Sequence, residues 1–407
     1  MRVIFIILLL LLLPYGTHAT ELYAPDITAF VSPDSSYASV EEIVDSANSS
    51  IYLHFYTFEN SYVARRVAAA ALRGVEVILV VEESPAGGIS DEEKAVLDML
   101  GSVGAAPYYN TDEAIRYNHA KYMIVDNSSV LITTENLGYS GFPVDNSFGN
   151  RGWGVIVYGS GVAEYFLNLF FEDIKEAEAV ENYGISPSYE IKKGKYAPKF
   201  KAQKYEGNFL VVPFTAPEEA IESIISFINS ANDSLLIEQF YVYKYWGKRK
   251  YGSPETTPNA FLEAAIDAAR KGVRVRILLD STWYNVERDD PVSNYYTVQY
   301  INEIARDEAL DMEARLADKR TGLEKLHVKG VVIDDKAVLI SSVNWNEHSP
   351  TKNREIGLIV YGDVAHYFSR VFASDWEGGG KEDNRYLVLL AFALGVAIVI
   401  IKKVKTT

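Results

Sequence analysis

One motif occurs twice in this sequence, once in each half of the chain. A His and a Lys are separated by one residue, and an Asp follows the Lys after four more. The two copies are His119-Ala120-Lys121 with Asp126, and His327-Val328-Lys329 with Asp334. Each copy runs on to a hydroxyl pair and an Asn, in Thr133-Thr134-Glu135-Asn136 and Ser341-Ser342-Val343-Asn344. A pattern repeated at this length predicts two similar halves.

The motif has the pattern of a β-hairpin. Alternate residues of a strand face the same side, so His119 and Lys121 share a face. The stretch Asp126-Asn127-Ser128-Ser129 is typical of a tight turn between two apolar runs. If Val125 pairs with Val130, the opposite pairs in the first copy are Lys121 with Thr134 and His119 with Asn136. The same count in the second copy pairs Ile333 with Val338, Lys329 with Ser342 and His327 with Asn344.

Each hairpin therefore gathers an imidazole, an ammonium, a hydroxyl and an amide at one end of a sheet. This set of groups is suited to holding an anion and attacking it. Asp126 and Asp334 lie at the turn, away from that end, so we expect a turn-capping or structural role for them.

The double motif resembles the signature of the phospholipase D superfamily, H-x-K-x(4)-D followed by G-S-x-N. The second copy departs only by Ser341 in place of Gly, whereas the first has Thr133 and Thr134 in place of Gly-Ser. The resemblance implies phosphodiester cleavage in two steps through a phosphohistidine, without metal or cofactor. The residues that it makes catalytic are His119, Lys121, Asn136, His327, Lys329 and Asn344, with Thr134, Ser342, Asp126 and Asp334 in support.

The resemblance also suggests how the work is divided. It implies that His119 is the nucleophile and His327 the acid, and the reverse assignment stays open. Glu355 stands at the family's downstream acidic position and is predicted to orient His327. Gly152 stands at the equivalent position of the first copy, so the partner of His119 is open between Asp145 and Glu135.

Helical and strand patterns alternate around both motifs. Amphipathic helices are predicted at 40–47 and 63–72 in the first half and at 220–230 and 261–271 in the second. Alternating helices and strands indicate an α/β protein. We therefore predict two tandem α/β/α sandwich repeats, 20–180 and 208–376, joined by a basic linker at 181–207. A pseudo-twofold axis would relate them, with one active site at their interface in a monomer.

Composition narrows the function further. The chain has 407 residues with 55 acidic and 39 basic side chains, a net charge of −16. This acidic balance argues against electrostatic binding of nucleic acid over a broad surface, although it is compatible with a local basic cleft. The absence of cysteine excludes disulfides, thiolate nucleophiles and thiolate metal sites.

Both ends of the chain carry apolar runs. Residues 1–19 are typical of a secretory signal peptide. Residues 377–385 are predicted to be a tether, 386–401 a transmembrane helix and 402–407 a lysine-bearing cytoplasmic tail. These features predict a single-pass protein of the cell membrane with an extracytoplasmic catalytic body.

The predicted function is a phosphodiesterase with phospholipid as its leading substrate, because the tether holds the site near a bilayer. A metal-independent surface nuclease of the same superfamily is the alternative. It is favoured by the insertion at 243–251, in which basic and aromatic residues alternate. Headgroup transfer to an alcohol and a catalytically silent binding scaffold are also open.

Overall fold

The computed structural model describes residues 20–378. The predicted signal peptide (1–19), transmembrane helix (386–401) and tail (402–407) lie outside the described residues, as does most of the tether. Among the helices of 20–378, none is long and apolar enough to cross a membrane.

The described chain alternates strands and helices in both halves. The first half contains β1 (Leu22–Ser32), α1 (Ser36–Asp45), β2 (Ser50–Phe55), α2 (Ser61–Leu72), β3 (Glu76–Glu82), α3 (Asp91–Ser102), β4 (Ala106–Asn110), β5 (Lys121–Val125), β6 (Ser129–Thr133), β7 (Gly152–Tyr158), α4 (Ser160–Asp173) and β8 (Ala177–Ala179). The second half contains β9 (Gln203–Ala216), α5 (Ala220–Asn229), β10 (Ser234–Gln239), α6 (Ala260–Arg270), β11 (Arg274–Leu279), α7 (Asn294–Asp307), β12 (Met312–Leu316), β13 (Lys329–Ile333), β14 (Ala337–Ser341), α8 (His348–Lys352), β15 (Glu355–Tyr361) and α9 (Val364–Trp376).

All strands of the described residues join one sheet. Its order is β12-β11-β10-β13-β14-β15-β9-β1-β7-β6-β5-β2-β3-β4-β8. Apart from β8, the order read outward from the central β9–β1 pair is the same on both sides. The two halves are therefore repeats related by a pseudo-twofold, and the antiparallel pairing of β1 with β9 joins them.

The sequence explains the helix ends in both repeats. The side chain of Asn60 accepts the N–H groups of Tyr62 and Val63 where α2 begins, and Asn259 does the same for α6. These amide caps satisfy backbone donors that a helix start otherwise leaves unpaired. Gly74 and Gly272 follow the helices with φ of 95° and 94°, a conformation that glycine adopts without strain.

Helices cover both faces of the sheet. Helices α4 and α9 pack on one face in a hydrophobic cluster that contains strand residues of both repeats. On the other face, α1, α2 and α3 cover the first repeat, while α5, α6 and α7 cover the second. The predicted α/β/α layering in two tandem repeats is confirmed.

The predicted hairpin register was wrong by one residue in both repeats. Val125 pairs with Ser129 rather than Val130, and Ile333 pairs with Ala337 rather than Val338. The cause is the turn, in which Asp126 and Asn127 adopt left-handed φ of 52° and 53°. Only three residues then connect the strands, so every cross-strand pair shifts by one.

The strand that joins the repeats begins inside the predicted linker. Strand β9 starts at Gln203, and Lys204 lies opposite Thr28 of β1. The end of 181–207 is therefore part of the sheet, because β1 offers it an unpaired backbone edge. Earlier in the linker, the backbone N–H groups of Lys199 and Phe200 donate to the carboxylate of Asp34.

Candidate active site

The two His-x-Lys segments are each held by the opposite repeat. The backbone N–H of His119 donates to the carbonyl of Arg354 at 2.8 Å, and that of His327 donates to the carbonyl of Arg151 at 2.8 Å. Lys121 and Lys329 are the first residues of β5 and β13. The repeats therefore fix each other's histidines, which places both motifs at one shared interface.

Each histidine also takes its carboxylate partner from the opposite repeat. Nδ1 of His119 lies 2.7 Å from Oε2 of Glu355, and Nδ1 of His327 lies 3.3 Å from Oε2 of Glu135. The prediction that Glu355 orients His327 was wrong, since Glu355 contacts His119. Glu135 was a candidate partner of His119 and instead contacts His327. Asp145, the other candidate, accepts the N–H of Ser147 in its own loop.

Glu135 fills the space that a side chain at Gly152 would need. A Cβ built on Gly152 would lie 2.4 Å from Cγ of Glu135 and 2.6 Å from its Oε1. In the second repeat the matching positions are Glu355 on β15 and Val343 after β14. The first repeat therefore carries its carboxylate just after β6 rather than at the start of β7, and the glycine makes room for it.

The lysines are fully buried beside the histidines. Nζ of Lys121 donates to the carbonyl of His119 at 2.7 Å, and Nζ of Lys329 donates to that of His327 at 2.9 Å. Nζ of Lys329 also lies 3.5 Å from the carbonyl of Thr134 in the other repeat. Burial lowers the pKa of Lys121 to about 7, against the opposing charges of Glu355 and Glu135. Burial and the neighbouring Lys121 lower the pKa of Lys329 in the same direction.

The same environment keeps both imidazoles neutral. Burial lowers the pKa of His119 to about 4, although the charge of Glu355 opposes this shift. Burial, Lys329 and Lys325 lower the pKa of His327 well below its usual range. A neutral imidazole has a free ring nitrogen, which a nucleophile needs.

The carboxyl groups of Glu135 and Glu355 have pKa values shifted in opposite directions. Burial raises the pKa of Glu135 to about 7, against the charges of Lys325 and Lys329. Burial also works against ionisation of Glu355, but its interaction with His119 and the charge of Lys121 outweigh burial and lower its pKa. Ser349 and Asn353 donate to Oε1 of Glu355, which stabilises the carboxylate further. The two His–carboxylate pairs are therefore not equivalent.

The amides and hydroxyls of the motifs differ in their hydrogen bonds: the hydroxyls bond to the backbone of the next strand, whereas the amide oxygens have no partner among the described residues. Oδ1 of both Asn136 and Asn344 is buried without a hydrogen-bond partner among the described residues. The hydroxyl oxygens of Thr134 and Ser342 accept backbone N–H groups of Trp153 and Ile356 at 3.0 Å. That these hydroxyls support the site stays a prediction: both hold the next strand in place, and the Ser342 hydroxyl also helps to lower the pKa of Glu355.

Asp126 and Asp334 lie at the hairpin turns, at the far end of the strands from the histidines. The carboxylate of Asp126 accepts backbone N–H groups of Asn48, Ser49 and Ser50. Asp334 accepts the equivalent donors from residues 232–234. The last residue of the motif therefore ties the hairpin to the start of β2 or β10.

Two aromatic rings that the sequence analysis missed cover the histidines. The ring of Tyr56 lies 4.9 Å from that of His119, and the ring of Phe240 lies 4.8 Å from that of His327. Lys121 and Lys329 lie over the same rings, at 5.5 and 5.3 Å. The internal repeat could have revealed these two rings, because Tyr56 and Phe240 occupy equivalent positions, one residue after the matching strands β2 and β10.

No group of three or more His, Asp or Glu side chains in 20–378 is arranged to hold a metal ion. Lys121 and Lys329 are the cationic side chains that the two motifs bring to this site.

Comparison with known families agrees with this geometry. The family model described as "Cardiolipin synthase, PLD-like domain" matches residues 40–174 and 224–376, one segment in each repeat. The chain belongs to the phospholipase D superfamily. None of the curated protein sequences compared with it matches.

Three solved structures resemble this chain to different extents. Phosphatidylserine synthase of Haemophilus influenzae Rd KW20 matches at a TM-score of 0.59 and 14% identity, covering 92% of this chain and 94% of that one. Nuc of Salmonella typhimurium, a phospholipase D family member, matches at a TM-score of 0.35 and 23% identity, covering 38% of this chain and 97% of that one. NucT of Helicobacter pylori matches at a TM-score of 0.32 and 22% identity, covering 42% and 97%.

Within the phospholipase D superfamily, this chain departs from the motif in its first repeat. Thr133-Thr134 replaces Gly-Ser, and Gly152 stands where the second repeat has Glu355. The structure accounts for both departures. Oγ1 of Thr134 makes the backbone contact that Ser342 makes, and Glu135 supplies the carboxylate that position 152 lacks.

Proposed function

We propose that this protein cleaves phosphodiester bonds of phospholipids through a covalent phosphohistidine on His119. One observation carries the proposal: two histidines, each contacting a carboxylate from the opposite repeat, lie with two buried lysines at one interface. Nucleophile, acid and anion-stabilising charge are all present in this arrangement.

His119 is the better nucleophile of the two. Its Nδ1 contacts Glu355 at 2.7 Å, and the pKa of Glu355 is lowered, so the carboxylate accepts a proton that Nδ1 carries. Nε2 then holds the lone pair and can attack phosphorus. A carboxylate on the other ring nitrogen fixes this tautomer and stabilises the positive charge that develops.

His327 suits the acid–base role. Its contact with Glu135 is longer, at 3.3 Å, and burial raises the pKa of Glu135 to about 7, so this carboxyl stabilises positive charge less at rest. An incoming phosphodiester brings negative charge, which raises the pKa of His327 and favours its protonation. The imidazolium can then give its proton to the leaving oxygen.

The reaction balances in two displacements. Nε2 of His119 forms a bond to phosphorus while the bond to the leaving oxygen breaks, and His327 protonates that oxygen. Water, deprotonated by His327, then attacks phosphorus and breaks its bond to Nε2. If an alcohol replaces water in the second step, the product is a new diester. The ammonium groups of Lys121 and Lys329 are placed to stabilise the charge on the non-bridging oxygens in both steps.

Three features support phospholipid as the substrate class. The matching family model is named for cardiolipin synthase, and the phosphatidylserine synthase of H. influenzae shares the fold over nearly the whole described body. The sequence at 386–401 is continuously apolar with lysines after it. We propose that this segment anchors the catalytic body at the outer face of the cell membrane after a signal at 1–19 has directed its export.

Trapping the intermediate tests the mechanism. The full chain in detergent micelles would be incubated with ³²P-labelled phospholipid and with bis(p-nitrophenyl) phosphate, with EDTA present throughout. His119→Ala should lose all turnover and all covalent label. His327→Ala should lose about 10³-fold on phospholipid but far less on the nitrophenyl diester, whose leaving group needs no proton. Alkali-stable, acid-labile label on His327→Ala would identify the phosphohistidine.

The outcomes separate the alternatives. Label on His119→Ala but not on His327→Ala would reverse the two roles. Cleavage of single-stranded DNA with intact phospholipid would identify a nuclease. Absence of turnover on every diester, with partner binding retained in His119→Ala, would identify a silent scaffold.

A further inference from the structure

A row of aromatic rings leads away from His327. The ring of Phe240, which contacts His327, lies 5.3 Å from that of Tyr241, and Tyr241 lies 5.4 Å from Tyr243. The amide of Asn346 donates to the hydroxyl of Tyr241 and fixes the middle of the row. We call Phe240, Tyr241 and Tyr243 the aromatic row. It connects the catalytic centre to the basic loop, residues 243–251.

The basic loop continues from the row. Arg249 donates to the hydroxyl of Tyr243 at 3.2 Å and pairs with Asp290 at 3.1 Å, which ties the loop to the segment before α7. Lys248 and Lys250 are exposed, and within 20–378 neither has a carboxylate within ion-pair distance. The charge of Arg249 is compensated, whereas Lys248 and Lys250 carry exposed positive charge. The third lysine of the loop, Lys244, is half-buried and lies over the ring of Tyr296 at 5.4 Å.

Two large rings protrude at the edges of this region. Tyr251 is 73% exposed, and its ring has Lys250 over it at 5.6 Å. Trp283 is 71% exposed, packs on Tyr284 at 5.4 Å and is linked through Tyr284 to Phe240 at 6.3 Å. Exposed rings grouped beside a functional site, unlike rings scattered singly over a surface, indicate a contact surface.

We propose that the basic loop and Trp283 form a docking face for a membrane surface with anionic headgroups, and that the aromatic row guides a lipid from it to His327. This inference rests on the proposed phospholipid substrate. Comparison of the two repeats supports a special role for the basic loop, because the first repeat has no insertion equivalent to 243–251. The face is therefore an addition to one side of an otherwise duplicated site.

The chemistry of the face matches a lipid interface. Trp and Tyr are amphipathic and favour the headgroup level of a bilayer, where the ring is buried and its polar atom stays hydrated. Lys248 and Lys250 add attraction to anionic lipid in a chain whose net charge is −16. Long-range repulsion from that net charge leaves a local basic face as the part of the body that can approach an anionic surface.

The test compares an aggregated with a soluble substrate. Residues 20–378 contain every strand pair and hydrophobic cluster described above, so this body can be used without the apolar segment. Its turnover of bis(p-nitrophenyl) phosphate must first match that of the full chain. Variants Lys248→Gln/Lys250→Gln, Tyr251→Ala and Trp283→Ala would then be assayed on vesicles with 30 mol% anionic phospholipid and on the soluble diester.

Matched controls come from the same body. Lys271→Gln/Lys336→Gln removes two exposed lysines elsewhere in the second repeat, and Tyr23→Ala removes a ring that is 57% exposed on β1. The lysine pair of the docking face should contribute about 30-fold in vesicle affinity at low salt, an effect that 0.5 M NaCl largely removes. Trp283→Ala and Tyr251→Ala should weaken binding at both salt concentrations.

The result expected is loss of vesicle binding and vesicle turnover in the face variants, with soluble-diester turnover and the control variants unchanged. Equal vesicle binding in face and control variants would overturn the docking proposal while leaving the phosphodiesterase intact. Loss of DNA binding in the face variants, with vesicle binding unchanged, would overturn it in favour of a strand-binding rim. Absence of lipid turnover in the unmutated body would instead remove the proposed function itself.

Discussion

At the scale of single residues, the site is asymmetric because one carboxylate has moved. Glu135 reaches His327 from the end of β6, whereas Glu355 reaches His119 from the start of β15. Gly152 permits this, since a side chain there would collide with Glu135. A motif comparison alone would conclude that the first repeat has lost its acidic residue, while the structure shows the acid relocated by one strand.

Glu135→Gln tests this relocation. The amide cannot stabilise the imidazolium of His327, so kcat should fall about 100-fold. The double variant Glu135→Val/Gly152→Glu copies the arrangement of the second repeat and should regain activity to within about tenfold. Gly152→Glu alone should fold poorly, because its Cβ would lie 2.4 Å from Cγ of Glu135.

The control for that series is Asp145→Asn, which keeps the acceptor for the N–H of Ser147 and should retain full activity. Steady-state kinetics on the nitrophenyl diester and thermal unfolding of each variant would be measured together. Full activity of Glu135→Gln would show that His327 needs no carboxylate.

The buried lysines give a second prediction at this scale. The pKa of Lys121 is lowered to about 7, so above that pH the free enzyme loses positive charge that the substrate needs. The acid limb comes from His119, which is protonated and unreactive below about pH 4. On bis(p-nitrophenyl) phosphate, whose leaving group needs no proton from His327, we expect kcat/KM to rise from about pH 4 and to fall above about pH 7.

A bound phosphodiester favours charged lysines and raises their pKa. The alkaline limb of kcat should therefore lie at higher pH than that of kcat/KM, by about one unit or more. Full pH profiles of both parameters would be compared, with Lys336→Gln as an exposed-lysine control. Identical alkaline limbs in the two profiles would contradict the role given to the buried ammonium groups.

At the scale of elements, the motif hairpin is an anchored unit. Asp126 accepts three backbone N–H groups from the loop before β2, and these bonds lower its pKa to about 2, although partial burial opposes the shift. Its contribution to stability is full above the unfolded-state pKa and is lost as the pH falls towards about 2.

Asp126→Ala should lower the free energy of unfolding by about 2 kcal/mol at neutral pH, since it leaves these donors without their acceptor. Urea unfolding would measure this change, and the difference from the unmutated protein should shrink as the pH falls towards about 2. Because the turn lies far from the histidines, kcat below the unfolding temperature should change by less than about twofold. Ser128→Ala, in the same turn, is the stability control. A large loss of kcat in folded Asp126→Ala would show that the Asp serves the chemistry.

Two helices and the motif hairpin could be predicted from the sequence. The helices at 220–230 and 261–271 were predicted to within one residue of α5 and α6, because apolar spacing marks both helices and a glycine, Gly272, follows α6. The hairpin itself was predicted, but its register depends on the left-handed pair Asp126-Asn127, and the sequence is compatible with a three- or a four-residue connection.

The crossed carboxylates could not be predicted, because they depend on contacts between the repeats. Which histidine meets Glu355 is decided by the pairing of β1 with β9, and neither strand was predicted as a junction. Part of β9 lies in the basic stretch at 203–207, where composition favours a solvated linker. Only the tertiary pairing of that stretch with β1 shows that it belongs to the sheet.

At the scale of the whole molecule, two arginines, the buried Arg151 and the partly buried Arg354, join the repeats behind the site. Arg151 of the first repeat pairs with Asp375 at 2.6 Å, and Arg354 of the second pairs with Asp173 at 3.1 Å. These arginines directly precede positions 152 and 355, so the contacts that hold the repeats together also place the start of β7 and β15. Removing the Arg151 side chain would leave the buried carboxyl groups of Asp34 and Asp375 without their partner, which typically costs about 3–5 kcal/mol.

Glu238, which lies near Asp375 in this region, destabilises the folded protein when it ionises at higher pH. Glu238 on β10 is fully buried near Asp375, and burial together with that negative charge raises its pKa well above the usual range. A carboxyl group whose pKa is higher in the folded state contributes stability that is full below the unfolded-state pKa. That contribution is lost as the pH rises towards the folded-state value.

Glu238→Gln should therefore stabilise the protein increasingly as the pH is raised from 4 to 8. The amide has the same shape as the protonated acid and cannot ionise, so the two proteins should be nearly equal in stability at pH 4. At pH 8 the variant should have the higher free energy of unfolding, by more than about 1 kcal/mol. Urea unfolding at each pH would measure the difference, and other titrating groups cancel because both proteins share them. A difference that stays constant across this range would mean that Glu238 ionises as easily in the folded protein as in the unfolded chain. The junction between the repeats would then tolerate an ionised Glu238, although the burial of this side chain and the nearby Asp375 disfavour its negative charge.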